Sequence, residues 1–428
     1  MRRFVLSLGA LVAVVAALPS AAAARPTRAH TAASPQQALN ASLTSGMRNA
    51  GGSGSADVID LKTGKTLFSW VAGTGRLPAS VEKLYTTSTA LLRFGPNATL
   101  TTRVLALGSF DRHRGFHGFL WLKGGGDPTF GDAGFDRGYY GTGATVGQLA
   151  DTLIRRTGIG SIHGRIVGDD TYFDALRGTP ATGYGPDLTD VEGQLSALAY
   201  DRGFATFDGS SGQSRPGLYA TQQFAQALHA RGVTIPSGTP VYTGRAPKTA
   251  QQLAAVHSPS IATLIRLTNT PSDNYFAEML LKGIGAKFGG AGTTSAGAAV
   301  VRSELASEFG IHPSLDDGSG LSRSDSTSPV QIVSLLRQLY GNQDFFNSLA
   351  IGGETGTLQD SMNGTIAQGN CHGKTGTLHD VANLVGYCRA RNGHTLAFAF
   401  LINSISNSDY VHSVEANQMA VALANYNG

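Results

Sequence analysis

Pro78-Ala79-Ser80-Val81-Glu82-Lys83-Leu84 is the stretch on which the reading of this chain turns. From Val81 onward, apolar residues stand at 81, 84, 85, 91 and 92, the spacing of a helix with one buried face. Ser80 and Lys83 are three apart and share one side of that helix. Ser80 falls in its first turn, where free N–H groups favour negative charge developing nearby. A serine hydroxyl is a poor nucleophile at its ordinary pKa and needs an adjacent base. A lysine serves as that base only if burial or nearby positive charge keeps part of it neutral. Ser80 is therefore the candidate nucleophile and Lys83 the candidate general base, although Ser-x-x-Lys also occurs in helices that do no chemistry. By helix spacing Glu82 points away from both, at the surface or just outside the site. Gly95-Pro96 ends the helix.

Two later stretches carry the complementary groups. Ser272-Asp273-Asn274 lies within Asn269-Thr270-Pro271-Ser272-Asp273-Asn274-Tyr275, just ahead of helical Phe276 to Leu281. Ser272 could pass a proton toward a leaving amine, and the Asn274 amide could orient substrate or Lys83. The plain alternative is a loop with a helix cap, since all three residues cap well. Lys374-Thr375-Gly376-Thr377 precedes an apolar strand. Gly376 lets a substrate backbone pass close, while Lys374 and the hydroxyls suit a carboxylate; a solvated edge strand is the alternative. A phosphate loop is excluded, because it needs a glycine five before Gly373 and Gln368 stands there.

With these stand Gly125-Gly126-Asp127-Pro128, Asp317-Gly318-Ser319-Gly320-Leu321-Ser322-Arg323 and Gly356-Thr357-Leu358. Together, from about residue 35 to about 425, they resemble the D-alanyl-D-alanine carboxypeptidase/endopeptidase family, the class C low-molecular-mass penicillin-binding proteins of peptidase family S13. The resemblance implies an α/β (α+β) serine β-lactamase/transpeptidase-like fold, an antiparallel sheet flanked by helices. It implies a serine-type D-Ala-D-Ala carboxypeptidase, with endopeptidase action in some relatives. Ser80 would form the acyl-enzyme and Lys83 accept its proton. Ser272 and Lys374 would relay protons, and Asn274 would position substrate. Backbone N–H groups of Ser80 and Thr377 would form the oxyanion hole, while Lys374, Thr375 and Thr377 receive the terminal carboxylate beside Gly376. Partners would be peptidoglycan stem peptides ending in D-Ala-D-Ala, and β-lactams as covalent inhibitors, with no cofactor and no metal. A β-lactamase or esterase on the same scaffold is the enzymatic alternative; a non-catalytic wall-binding protein is the other. One departure stands in Leu195-Ser196-Ala197-Leu198-Ala199-Tyr200-Asp201-Arg202-Gly203, where the family usually carries asparagine near the end.

The N-terminus points the same way. Arg2 and Arg3, an apolar run from Phe4 to Leu18 and the small-residue exit through Ala24 form the pattern of a cleaved signal peptide. The run is shorter than the roughly 20 residues a membrane span needs. Residues 1–24 are thus expected to be a leader and 25–33 flexible, with the protein exported to the periplasm or cell wall and no later span. The formal charge of +4 falls by two with the leader, and only 14% of residues are charged; a nucleic-acid surface is excluded. The 56 glycines show no three-residue period, which excludes collagen and implies many tight turns.

About 400 residues remain, too many for one ordinary core. The catalytic domain is expected to be discontinuous, 34–96 and 251–428, with 97–250 an inserted module of one or two lobes. Strand-like stretches there (Leu100 to Leu107, Phe116 to Leu122, Gly164 to Val167) alternate with glycine-rich turns, and Gln148 to Arg156 and Ala220 to Ala230 read as helices. Outside it, a helix opening at Ser34-Pro35, a hairpin of Ala56 to Leu61 with Thr66 to Trp70, one apolar-faced helix over Ile261 to Ile284, strands Ala382 to Tyr387 and Thr395 to Ile402, and a helix near Val411 to Leu423 are expected. Cys371 and Cys388 flank the Lys374 motif. A hairpin turning near 379 and 380 would bring them opposite one another, and a disulfide there is worth roughly 3 kcal/mol; two free buried thiols are the alternative.

Overall fold

The computed structural model describes residues 33–182 and 188–428, with positions 9, 10 and 13. The expected leader and flexible segment fall almost wholly outside the described residues. Among those described, no helix is long and apolar enough to cross a membrane.

Helix α1 (Pro35–Ala50) starts where the sequence says it should. Ser34 accepts from the Gln37 N–H, the Gln37 side chain accepts from the Ser34 N–H, and Pro35 fills the first turn. Its Leu39, Leu43 and Met47 are buried against a six-stranded antiparallel sheet of order β2-β1-β11-β10-β9-β8. Those strands are β1 (Ser53–Asp60), β2 (Thr66–Trp70), β8 (Ala350–Ile351), β9 (Cys371–Leu378), β10 (Val381–Arg389) and β11 (Thr395–Asn403). Nearly every residue of β10 and all but the first of β11 are buried, because both sheet faces are covered. One face meets α1 and the C-terminal helix, formed by α11 (Ser408–Ser413), a π-helical stretch (Val414–Ala420) and α12 (Val421–Ala424). The other meets a helical layer of α2 (Lys83–Phe94), α6 (Ile261–Asn269), α7 (Asn274–Phe288), α8 (Thr294–Phe309) and α9 (Pro329–Leu339), followed by short α10 (Gln343–Phe346).

Two expectations fail here for physical reasons. Helix α2 was expected to bury one face, yet Lys83 to Leu91 are all buried. Three of its buried hydroxyls are satisfied by carbonyls, while that of Thr89 has no partner. Thr87 donates to the Lys83 carbonyl at 2.7 Å, Ser88 to the Tyr85 carbonyl at 3.0 Å and Thr86 to the Gly318 carbonyl at 3.0 Å. The single helix expected over Ile261 to Ile284 is two, α6 and α7, broken at Thr270-Pro271-Ser272-Asp273. Proline disfavours helix in the residue before it, Ser272 takes φ +69°, and Asp273 opens a new helix by accepting the Phe276 N–H at 2.9 Å.

Between α2 and α6 lies a second sheet, of order β6-β5-β4-β3-β7: β3 (Thr101–Phe110), β4 (Gly115–Lys123), β5 (Ser161–Asp169), β6 (Val241–Thr243) and β7 (Gln251–His257). β4, β5 and β6 run parallel, while β3 pairs antiparallel with β4 and β7. Helices α4 (Val146–Thr157) and α5 (Pro216–His229) share its core, and α3 (Ala133–Tyr139) precedes them. The expected boundary at 250/251 therefore cuts this sheet one strand early, since β7 pairs with β3. Cys371 and Cys388 face one another across β9 and β10 and are joined as a disulfide.

Candidate active site

Ser80 sits in a single 3-10 turn, Ala79–Glu82, that runs directly into α2. The turn is pinned against the sheet. The Asn383 side chain donates to the carbonyls of Leu77 and Pro78 at 3.0 and 2.8 Å, and Asn403 accepts the Leu77 N–H at 2.8 Å. Gly376 of β9 lies so close to the Pro78 carbonyl that a Cβ would clash with it, which brings the β9 edge alongside Ser80.

The three motifs converge, although they are far apart in the chain. Lys83 Nζ lies 2.7 Å from Ser80 Oγ, 2.6 Å from Asn274 Oδ1 and 2.9 Å from the Ser319 carbonyl. Asn274 is oriented in turn by donating its amide to the Asp190 carbonyl at 2.5 Å. Lys374 Nζ donates to Ser272 Oγ at 2.7 Å and to the Thr375 carbonyl at 2.8 Å. Both lysines are fully buried. Burial pushes Lys83 down to about 8, against the pull of Asp317 and other nearby acids; burial, reinforced by the charge of Lys83, holds Lys374 well below the usual lysine range. The geometry has a direct consequence. A neutral amine has two protons, which Asn274 Oδ1 and the Ser319 carbonyl accept, leaving its lone pair for the Ser80 hydroxyl.

Other sequence motifs shape this cradle. The Asp317 carboxylate collects the N–H groups of Ser319, Gly320 and Ser322 at 3.2, 2.8 and 2.8 Å, folding the loop that presents the Ser319 carbonyl. Gly320, at φ +82°, lies directly on the Ala79 carbonyl, where no side chain would fit. Thr375 donates to Thr357 Oγ1 at 2.8 Å, and Thr377 Oγ1 lies 2.7 Å from His412 Nε2.

Of the two placements its spacing allowed, Glu82 takes the inner one, not the surface. It is fully buried, and burial, then Asp325, Asp317 and Glu278, push its carboxyl well above the usual range. The 317–325 loop closes over the side of the turn expected to face solvent, and carboxyl oxygens of Glu82, Asp317 and Asp325 lie within 4.8 Å of one another. Such surroundings favour the neutral form of the carboxyl.

Sequence reasoning missed Arg202. It comes from the inserted module, with 3% of its side chain exposed, and grips Asp273 with Nη1–Oδ2 at 2.5 Å and Nη2–Oδ1 at 3.2 Å. Its Nε donates to the Glu192 carbonyl at 2.8 Å, and its guanidinium lies 4.7 Å from the Tyr275 ring centre. Asp201 and Arg202 both take positive φ, +52° and +58°. The signal was present as a lone Asp-Arg pair closing an apolar run in the segment that departs from its family pattern.

A serine in the turn that leads into a helix opened by a buried lysine, a Ser-x-Asn loop beside them and a Lys-Thr-Gly strand, on a sheet covered by helices, define a protein of the serine β-lactamase/transpeptidase-like fold. The model of the D-Ala-D-Ala carboxypeptidase 3 (S13) family matches residues 36–191 and 191–426. The chain belongs to that family. It is 29% identical to a D-alanyl-D-alanine carboxypeptidase of Actinomadura sp. (strain R39), over 87% of this chain and 81% of that one. It is 30% identical to a carboxypeptidase of Mycobacterium tuberculosis, over 92% and 82%. The crystal structure of penicillin binding protein 4 from Haemophilus influenzae shares the fold with TM-score 0.74 at 20% identity, covering 88% of this chain and 97% of the other.

Proposed function

We propose that this S13 member is a penicillin-binding, serine-type D-Ala-D-Ala carboxypeptidase that acts on peptidoglycan stem peptides through an acyl-enzyme on Ser80. Family membership supports the activity, as do the names of the relatives above. The observation that carries the residue roles is the 2.7 Å approach of Lys83 Nζ to Ser80 Oγ, with every other acceptor around that amine accounted for.

In this reading neutral Lys83 takes the Ser80 proton as Oγ bonds to the carbonyl carbon of the penultimate D-alanine. The carbonyl π pair moves to oxygen, where the backbone N–H groups of Ser80 and Thr377 receive it. On collapse the C–N bond breaks, and the leaving amine takes a proton from Ser272, which Lys374 resupplies. Water then attacks the ester and gives its proton to Lys374 through Ser272, and Lys83 returns its proton to Ser80 Oγ as the acyl C–O bond breaks and the shortened peptide leaves. Thr375 and Thr377, next to Gly376 and Lys374, hold the terminal carboxylate. A β-lactam presents a comparable carbonyl and carboxylate, so it acylates Ser80 by the first half of this sequence. Cleavage of peptide cross-links is the same chemistry with a larger leaving group. The leader pattern at Arg2 to Ala24 supports export to the wall compartment.

The test is release of D-alanine from a diacyl-Lys-D-Ala-D-Ala peptide by the wild type, Ser80→Ala and Lys83→Arg. The expected result is turnover in the wild type, none in Ser80→Ala, and loss of at least about a hundredfold in Lys83→Arg, whose guanidinium cannot act as a base. Turnover that survives Ser80→Ala overturns the reading.

A further inference from the structure

Next to β9, on the face opposite Lys374, is a cavity of about 180 Å³ lined by Thr357, Ser361, Thr375, Thr377, Leu384 and His412 among others. No Asp, Glu, Lys or Arg lines it, so among its lining residues His412 alone can carry positive charge. Its hydroxyls have few protons to spare. Thr375 donates its own to Thr357. Thr377 Oγ1 and His412 Nε2 are 2.7 Å apart, so one proton lies between them. Behind the ring, His412 Nδ1 is 3.1 Å from the carboxyl of Glu415, which is fully buried at the start of the π-helical stretch.

The state of the ring decides what Thr377 can offer. With the ring neutral and its proton on Nδ1 toward Glu415, Nε2 takes the Thr377 proton. The hydroxyl then turns lone pairs toward any incoming carboxylate. With the ring protonated, Nε2–H donates to Thr377, whose own proton is free to donate outward. The cation then lies one hydroxyl away from the bound anion and is balanced from behind by Glu415.

We propose that His412, braced by Glu415, is the cationic specificity residue of the terminal-carboxylate subsite, binding as imidazolium and freeing the Thr377 hydroxyl proton for the C-terminal carboxylate of the substrate. The proposal rests on the carboxypeptidase reading above and adds a positive charge on the side of β9 opposite Lys374. The ring contacts Thr377 from β9 and Glu415 from its own helix, and it shares the cavity with Thr375 from β9, Thr357, Leu358 and Ser361 from the 356–361 turn, Leu384 from β10 and Ala416. Of these only Glu415 titrates.

The experiment compares kcat/KM for a D-Ala-D-Ala peptide and for its C-terminal amide in the wild type, His412→Gln, His412→Ala and Glu415→Gln. The acid should lose about ten- to a hundredfold in both His412 variants, chiefly in KM, while the amide stays within about twofold. Glu415→Gln should show a smaller loss in the same direction. Equal losses on acid and amide overturn this inference alone. A wild type inactive on both peptides is the failure of the carboxypeptidase reading itself.

Discussion

Replacing Arg202 by Met removes the ion pair between the inserted module and the Ser272-Asp273-Asn274 loop, leaving the Asn274 amide on the Asp190 carbonyl. Three charged hydrogen bonds vanish, two to Asp273 and one to the Glu192 carbonyl. Removing one partner of a buried ion pair costs about 3–5 kcal/mol; Asp273, with 15% of its side chain exposed, regains some hydration, which favours the lower end. The effect on rate is separate. Asp273 also caps α7, between the positive-φ Ser272 and Asn274, which holds Lys83. Freed of the guanidinium, that loop can shift by about an ångström, enough for a loss of about a hundredfold. Arg202→Lys keeps a charge but not the fork, so it should fall between. The assays are urea unfolding and the second-order rate of Ser80 acylation by a fluorescent penicillin, measured well below the unfolding midpoint. A variant that is less stable but acylates at the wild-type rate would refute the reasoning, because it would reduce Arg202 to packing.

Other consequences follow from the same coordinates. With Lys83 pushed down to about 8 by burial, the neutral fraction rises from about 1% at pH 6 to about half at pH 8. Acylation should therefore climb about fiftyfold over that interval and level off above it, as stopped-flow measurement of penicillin labelling would show; a profile flat across it contradicts the assigned base. Cys371→Ser with Cys388→Ser should lower the free energy of unfolding by about 3 kcal/mol, read from denaturant midpoints. With burial and the neighbouring carboxyls pushing Glu82 toward its neutral form, Glu82→Gln should change stability by less than about 1 kcal/mol, while Glu82→Ala, leaving a cavity, should cost about 2 kcal/mol or more by the same denaturation assay.

Local chemistry was legible in this chain, and contact across it was not. Ser80, Lys83, Ser272, Asn274 and Lys374 could be picked out because each lies in a short stretch with its own logic, and a hairpin turning near 379 and 380 was one way to set Cys371 opposite Cys388, which the structure bears out. The structure brings those five side chains together. Helix spacing could not choose between surface and interior for Glu82, because a periodicity says which residues share a face, not what covers each face, and the 317–325 loop covers this one. The burial of α2 was hidden for a related reason. Thr86, Thr87 and Ser88 read as solvent-facing until their hydroxyls are seen donating to carbonyls. Arg202 and Asp273 are 71 residues apart, and Thr377 and His412 are 35 apart. No spacing rule links such pairs; only the fold does.

The most direct measurement is the mass of the protein, and then of its proteolytic peptides, after brief exposure to benzylpenicillin. The account predicts one added penicilloyl group per chain, on the peptide containing Ser80, with fragmentation placing it on that serine. An adduct on any other residue, or none on a folded wild-type chain, would contradict it.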